Sequence, residues 1–304
     1  MSVLINFHDI NDSLWFDDTA CFLKRKYNLV NLQELFYLHN AGNDSNNVCH
    51  ITVDDGEKSF YKNIFPVLKK HKIHATVFVS PDAAIKQVNL WFQEIIGYDT
   101  QKLLQIIAEV TETNLDDVKK INIYNVFKCL KIDLIWEIII RYQTKHKTHR
   151  KLCQNMSVNE LIEVENSGLV TIGAHTMKHP ILANEEMSSS KYEITSSITT
   201  LANILGHEIK YFAYPNGLPF LDFGQREMDI LKDNGCQYSF SVETGDFNLE
   251  SSLLSIPRYG LSSGDSKNYL KVKLFCGTHW NDIMKLKPGN EIVNRRKLLE
   301  FIKN

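Results

Sequence analysis

Seven short β-like runs, most of them separated by helical patterns, limit what this chain can fold into: Val3–His8, Cys49–Asp54, Ala75–Ser80, Leu169–His175, Tyr211–Tyr214, Tyr238–Val242 and Leu254–Pro257. A parallel return between strands needs a crossover, usually a helix, so this alternation predicts a mostly parallel sheet. Seven strands over 304 residues favour closure into a barrel. Helical spacing recurs at Ser59–Lys70, where Tyr61, Ile64, Phe65 and Leu68 share a face, and at Ser188–Leu205. Ser157 and Glu160 have the spacing of a capping box, and Asn166-Ser167-Gly168 reads as the stop of the same helix. Residues 85–154 break the alternation. They are rich in helix formers and contain no clear strand, which predicts a helical insertion within a single domain spanning 1–304.

The bulk composition excludes several function classes. A net charge of −2 with dispersed lysines leaves no basic footprint for nucleic acid. Apolar runs such as Leu134–Ile140 are too short to span a bilayer, leaving at most a peripheral membrane contact. The start of the chain shows no basic leader with a long apolar run, and the six cysteines form no C-x-x-C pair. Both features point to a cytoplasmic location with reduced thiols.

Two stretches carry the chemistry. In "HITVDDGE" an apolar strand ends on Asp54 and Asp55, followed by Gly56. Adjacent strand side chains face opposite ways, so both carboxylates serve one site only if the chain turns there, and Gly56 permits the turn. In "GAHTMKHPIL", His175 and His179 are four residues apart, a spacing that on a helical turn brings both imidazoles to one side. Two histidines and a carboxylate make a three-ligand set with room for water, as expected of a catalytic metal.

"TVDDG" followed by "HTMKHP" resembles the first two motifs of the NodB-homology polysaccharide deacetylases, carbohydrate esterase family 4, and "YFAYPNG" resembles their third. The resemblance implies a distorted (β/α)7 barrel with the helical insertion, and removal of an acetyl group from a sugar with one divalent metal. It implies Asp54 as catalytic base and Asp55, His175 and His179 as ligands. The third motif implies the backbone N–H of Asn216 as an oxyanion donor, with Tyr214 and Pro215 as a groove wall. Many relatives carry an arginine in that motif to orient the base; Ala213 stands in its place here. Arg258, in "SIPRYGL" near the seventh strand, is the candidate replacement. His8, ending the first strand in "VLINFHDI", matches the general acid of a circularly permuted poly-N-acetylglucosamine deacetylase subgroup, with His279 in "GTHW" as its rival.

His8, Asp54, Asp55, His175, Asn216 and Arg258 all fall at the carboxyl ends of expected strands, the face where α/β barrels build active sites. Trp91 and Trp280 are candidate stacking surfaces for a pyranose ring. Two imidazoles and a carboxylate suit Zn²⁺, with Co²⁺, Ni²⁺ or Fe²⁺ as alternatives. The expected partner is an acetylated sugar, a nucleotide-sugar or a glycan precursor. A deformylase, a sugar O-deacetylase, an amidohydrolase for non-sugar amides and an inactive glycan-binding homologue are the competing readings.

Overall fold

The apolar runs become strands because both of their faces are covered. Ser2–Phe7 and Val48–Val53 are buried at every position, as strands flanked by helices on one side and a barrel interior on the other must be. The structure is a computed structural model and describes residues 2–42, 47–285, 290–300 and 302. Its strands are β1 (Ser2–Phe7), β2 (Asn28–Leu29), β3 (Val48–Val53), β4 (Ala75–Val79), β5 (Val170–Ala174), β6 (Tyr211–Ala213), β7 (Tyr238–Phe240) and β8 (Tyr259–Gly260). They form one sheet in the order β7-β6-β5-β4-β3-β1-β8, with β2 beside the start of β3 and every ladder parallel.

The sheet closes through residues 256–260. Ile256 bridges Phe240 of β7, and Tyr259 and Gly260 then pair with Ile5 and Asn6 of β1. The sheet thus curls into a barrel of the (β/α)7 type. The strand expected at Leu254–Pro257 is therefore displaced to Tyr259–Gly260. Ile256 pairs with Ser239 and Ser241, but the next amide on that side, that of Arg258, bonds to Glu243, and the Ser241 carbonyl takes the Arg258 side chain instead, so the ladder to β7 goes no further. The two-residue β2 is too short to produce an alternation, and the sequence gives no sign of it.

The expected helices form at Phe65–His71, Val158–Asn166 and Met187–Leu205. The first is preceded by a π-helical stretch, Phe60–Ile64. Pro66, lacking an amide, cannot supply the ordinary bond to the turn before it. Both bonds of the Ser157–Glu160 capping box are present, and Gly168 adopts φ +70° just beyond the helix.

Between β4 and β5 the described residues contain helices and no strand; the longest are Thr100–Thr111 and Ile132–His146. They share an apolar cluster that includes Trp91, Leu103, Ile107, Phe127, Ile135 and Ile139, joined by Leu298 and Ile302 from the end of the chain. A buried polar knot ties this region to the loop after β3. Gln93 donates to Glu57 at 2.7 Å and to Asn155 at 2.9 Å, while the Lys58 and Met156 amides pair the loop with residues 154–156.

Candidate active site

The loop after β3 turns as the Asp-Asp-Gly sequence requires, with Asp55 at φ +72° and Gly56 at φ +67°. A side chain at Gly56 would press on Val79 at 3.1 Å, so the position has neither conformational nor spatial room for one. The turn sends the two carboxylates to different partners.

Asp55 faces the histidines. Its Oδ1 lies 3.4 Å from Nε2 of His175 and 3.3 Å from Nε2 of His179, and all three residues are buried. His175 Nδ1 donates to the Ala213 carbonyl at 2.7 Å, which aims Nε2 at Asp55. Burial opposes the charge of Asp55, yet the two imidazoles hold its carboxyl well below the usual range. Burial opposes the charge of His175 too, but the Asp55 and Asp54 carboxylates and the Ala213 carbonyl together outweigh it and raise His175; His179 remains lowered by burial.

The four-residue histidine spacing works through a tight loop rather than the helical turn expected. Thr176 and His179 both have φ +61°, a conformation that is strained for a β-branched threonine. The loop is held from outside. Glu193, on the helix Met187–Leu205, accepts from the amides of Met177 and Lys178 at 2.9 Å each, and the Thr176 hydroxyl accepts from the His179 amide at 3.0 Å.

Asp54 is gripped by Arg258. Nη1 and Nη2 donate to Oδ1 and Oδ2 at 2.8 Å each, and Asn6 donates to Oδ2 at 3.1 Å. Burial pushes the Asp54 carboxyl up, but the charges of Arg258 and His8 outweigh it and keep it below its ordinary value. The guanidinium is fully buried, lies against the adjacent Phe78 and Phe240 rings and donates Nε–H to the Ser241 carbonyl. Arg258 is placed differently from the expectation, since it precedes β8 instead of ending a strand. It sits between the two half-ladders that close the barrel, so its side chain enters from the seam.

His8 follows β1 with Nε2 3.7 Å from Asp54 Oδ2, and it is half exposed where Asp54 is buried. Asn216 follows β6 with φ +58°, and its backbone N–H makes no hydrogen bond among the described residues. Its side-chain amide donates to Asp222 at 2.6 Å and Glu291 at 3.0 Å.

These groups open on a cavity of about 250 Å³ that the helical region helps to wall through Trp91, Phe92, Tyr124 and Lys128. Three of the expected substrate residues behave otherwise. Tyr214 is buried, stacks on Phe223 at 3.6 Å and donates to the Leu254 carbonyl, so it is a core residue; Pro215 is also buried, and neither lines the cavity. Trp91 lines the cavity but is only 1% exposed, with its indole N–H bonded to the His179 carbonyl. It supports the histidine loop and has no free face for a sugar. His279 is exposed at the start of the helix His279–Lys285 and, like Trp280, lies outside the cavity lining.

Asn6, Glu193, Lys128 and Glu291 were missed from the sequence. Asn6 had a readable signal, because it is two residues from His8 and shares its face in the expected strand Val3–His8. Glu193 lies within an otherwise regular helical pattern. Lys128 and Glu291 meet only in the folded chain, where Lys128 Nζ contacts both Glu291 oxygens at 3.0 and 3.1 Å.

The ligand atoms of Asp55, His175 and His179 all lie within 4.8 Å of one another, and Asp55 Oδ1 is buried without a hydrogen-bond donor among the described residues. A buried carboxylate oxygen facing two imidazole nitrogens fits a divalent cation.

The profile of the family described as polysaccharide deacetylase matches residues 41–239. The poly-beta-1,6-N-acetyl-D-glucosamine N-deacetylase of Staphylococcus aureus (strain MSSA476) is 24% identical over 253 residues, covering 83% of this chain and 67% of that protein. Among solved structures, Streptococcus pyogenes deacetylase PplD in complex with acetate aligns with a TM-score of 0.61 at 16% identity, over 90% of this chain and 97% of that one. IcaB from Ammonifex degensii aligns at 0.58 and 19% identity, over 90% and 95%. The two solved structures share the barrel fold of this chain.

Proposed function

The chain belongs to the polysaccharide deacetylase family, and we propose that it is a metal-dependent hydrolase that removes the N-acetyl group from an acetamido sugar or glycan precursor. The observation that carries this reading is the division of labour between neighbouring carboxylates. Asp55 faces two imidazoles with a bare oxygen, while Asp54 is held ionised by a bidentate arginine. The name of the Staphylococcus aureus relative supports N-acetylglucosamine units as the substrate class.

Asp55, His175 and His179 would hold the ion, Zn²⁺ or alternatively Co²⁺, Ni²⁺ or Fe²⁺. A divalent ion bound there supplies Lewis acidity, polarising an amide carbonyl and acidifying water. Asp54 takes the proton of the attacking water, and Arg258 and Asn6 fix the direction of its carboxylate. The Asn216 N–H donates to the developing oxyanion; one such donor is typically worth about 3 kcal/mol. His8, half exposed beside Asp54, delivers a proton to the departing amine, which leaves poorly as an anion. The buried Trp91 and the Phe92 ring, 5.0 Å from that of His179, back the histidine loop and exclude water from its far side.

The test is acetate release from N-acetylglucosamine oligomers, nucleotide-sugars and simple acetamides by the metal-loaded protein, read together with bound metal. Metal-dependent acetate release from the sugars alone supports the proposal. Release of formate, or turnover of the simple acetamides, assigns a different acyl group or substrate. Metal-free, inert protein that still binds glycan means a binding module.

A further inference from the structure

A second group of ligand-type side chains lies away from the cavity. Asp17 and Cys21 are four residues apart on the helix Ser13–Lys26, so they share a face, and His71 is the last residue of the helix Phe65–His71. Each of these helices returns the chain toward the amino end of the next strand, so His71 lies at the end of the barrel opposite the cavity. The ligand atoms of the three residues lie within 4.8 Å of one another.

We propose that Asp17, Cys21 and His71 form a second divalent-metal site, selective for a thiophilic ion such as Zn²⁺ and independent of the one in the cavity. His71 Nε2 meets both partners: Asp17 Oδ1 contacts it directly and Cys21 Sγ is 3.7 Å away. In a tetrahedral site with a Zn–S bond of about 2.3 Å and a Zn–N bond of about 2.05 Å, the sulfur–nitrogen edge is about 3.5 Å. The sulfur–nitrogen separation therefore needs little adjustment, while Asp17 Oδ1 has to give up its direct contact with Nε2 and withdraw to the oxygen–nitrogen edge of about 3.4 Å that the same geometry requires.

The surroundings divide in the same sense. Lys70 takes the other oxygen of Asp17, Oδ2, at 2.7 Å, and leaves Oδ1 on the side of the sulfur and the imidazole. Ligating carboxylates are commonly oriented by such an outer partner. Lys24 donates to the His71 carbonyl at 3.1 Å and fixes the end of that helix. Asp17 and His71 are 24% and 19% exposed, which gives an ion entry and water a fourth position.

Two nearby lysines disfavour a hard cation held by charge alone. The thiolate and carboxylate together neutralise a divalent ion, and the sulfur selects Zn²⁺ or Co²⁺ over Mg²⁺ or Ca²⁺. Binding releases the Cys21 thiol proton to solvent and uses the neutral imidazole. The bound ion would tie the helix after β1 to the helix before β4.

The test is titration of the full-length protein with Co²⁺, read by absorption. Thiolate-to-cobalt charge transfer absorbs in the near ultraviolet, and the donors in the cavity are only nitrogen and oxygen. The expected result is two equivalents bound, one of them carrying the charge-transfer band. Cys21→Ser should lose that band and one equivalent while leaving deacetylation unchanged. His175→Ala should keep the band and lose the other equivalent. His71→Gln should weaken the band's titration at least tenfold, and it tests the site independently if Cys21→Ser does not fold. Absence of the band when the cavity is saturated, or its persistence in Cys21→Ser, would mean an ion pair only and overturn the proposal.

Discussion

Arg258 meets Asp54 end-on, with two N–H···O bonds of 2.8 Å to the two carboxylate oxygens, and neither side chain is exposed by more than 2%. Lysine cannot reproduce this planar fork, and shortening the contact to one point lets the carboxylate swing. Arg258→Lys is expected to lower kcat by roughly 10²-fold with a smaller change in KM, because a misplacement of about 1 Å at the reacting group has that effect. Steady-state kinetics on the substrate identified by acetate release will check it. A wild-type kcat in Arg258→Lys would mean that Asp54 needs no orientation.

Asp54→Asn separates catalysis from metal binding. The amide keeps the shape of the side chain but loses the basic oxygen, so turnover should fall to background while bound metal stays at the wild-type level. It also leaves a buried guanidinium without its counter-charge, and a broken buried pair is typically destabilising by about 3–5 kcal/mol. Urea unfolding should show that loss, and metal analysis should show the retained ion. Asp55→Ala and His175→Ala should instead lose metal and activity together. Wild-type rates in Asp54→Asn would remove the assigned base.

How far the site was legible follows from where its parts lie along the chain. Asp54, Asp55, His175 and His179 were readable because each motif sits within a few residues at the end of a strand, where local spacing controls geometry. The barrel was readable for the same reason, through runs such as Val48–Val53 whose burial on both faces leaves a continuous apolar pattern. Tyr214 was misread because a motif fixes the position of the backbone but not whether a neighbouring ring turns inward to Phe223. Arg258 was found, but its route into the site depends on how residues 256–260 cross from β7 to β1, a packing outcome that no local pattern encodes. Lys128 and Glu291 are 163 residues apart and could be paired only by the fold.

Glu291 joins the end of the chain to the cavity. It accepts from Lys128 and from the Asn216 side chain, while Arg295, one turn along the same helix, pairs with Asp222, the other acceptor of Asn216. Glu291→Ala should free Lys128 and leave the Asn216 side chain held by Asp222 alone, lowering kcat/KM by about tenfold if the oxyanion donor is partly mispositioned. Glu291→Gln retains an oxygen for the Asn216 amide and should recover most of kcat without restoring the ion pair to Lys128. Equal losses in both variants would assign the effect to the charge on Lys128 and not to Asn216.

Glu193 gives the histidine loop a pH dependence that can be isolated. Burial pushes its carboxyl up to about 7 from an ordinary 4.5, against the amides of Met177 and Lys178 and the charge of Lys178. Between these two values the folded chain binds a proton at Glu193 that the unfolded chain has lost, so stability falls as pH rises. The contribution is fully present below about pH 4.5 and gone above about pH 7, a change of about 3 kcal/mol at 1.36 kcal/mol per unit. Glu193→Gln keeps an acceptor oxygen for the two amides and has no proton to lose. With a chelator present throughout, to remove metal linkage at the histidines, urea midpoints of the two proteins should therefore diverge between pH 4.5 and 7.5, with the wild type losing ground. Parallel pH profiles would show that Glu193 is ionised at both ends of the range and that the loop amides bind its carboxylate more strongly than burial opposes it.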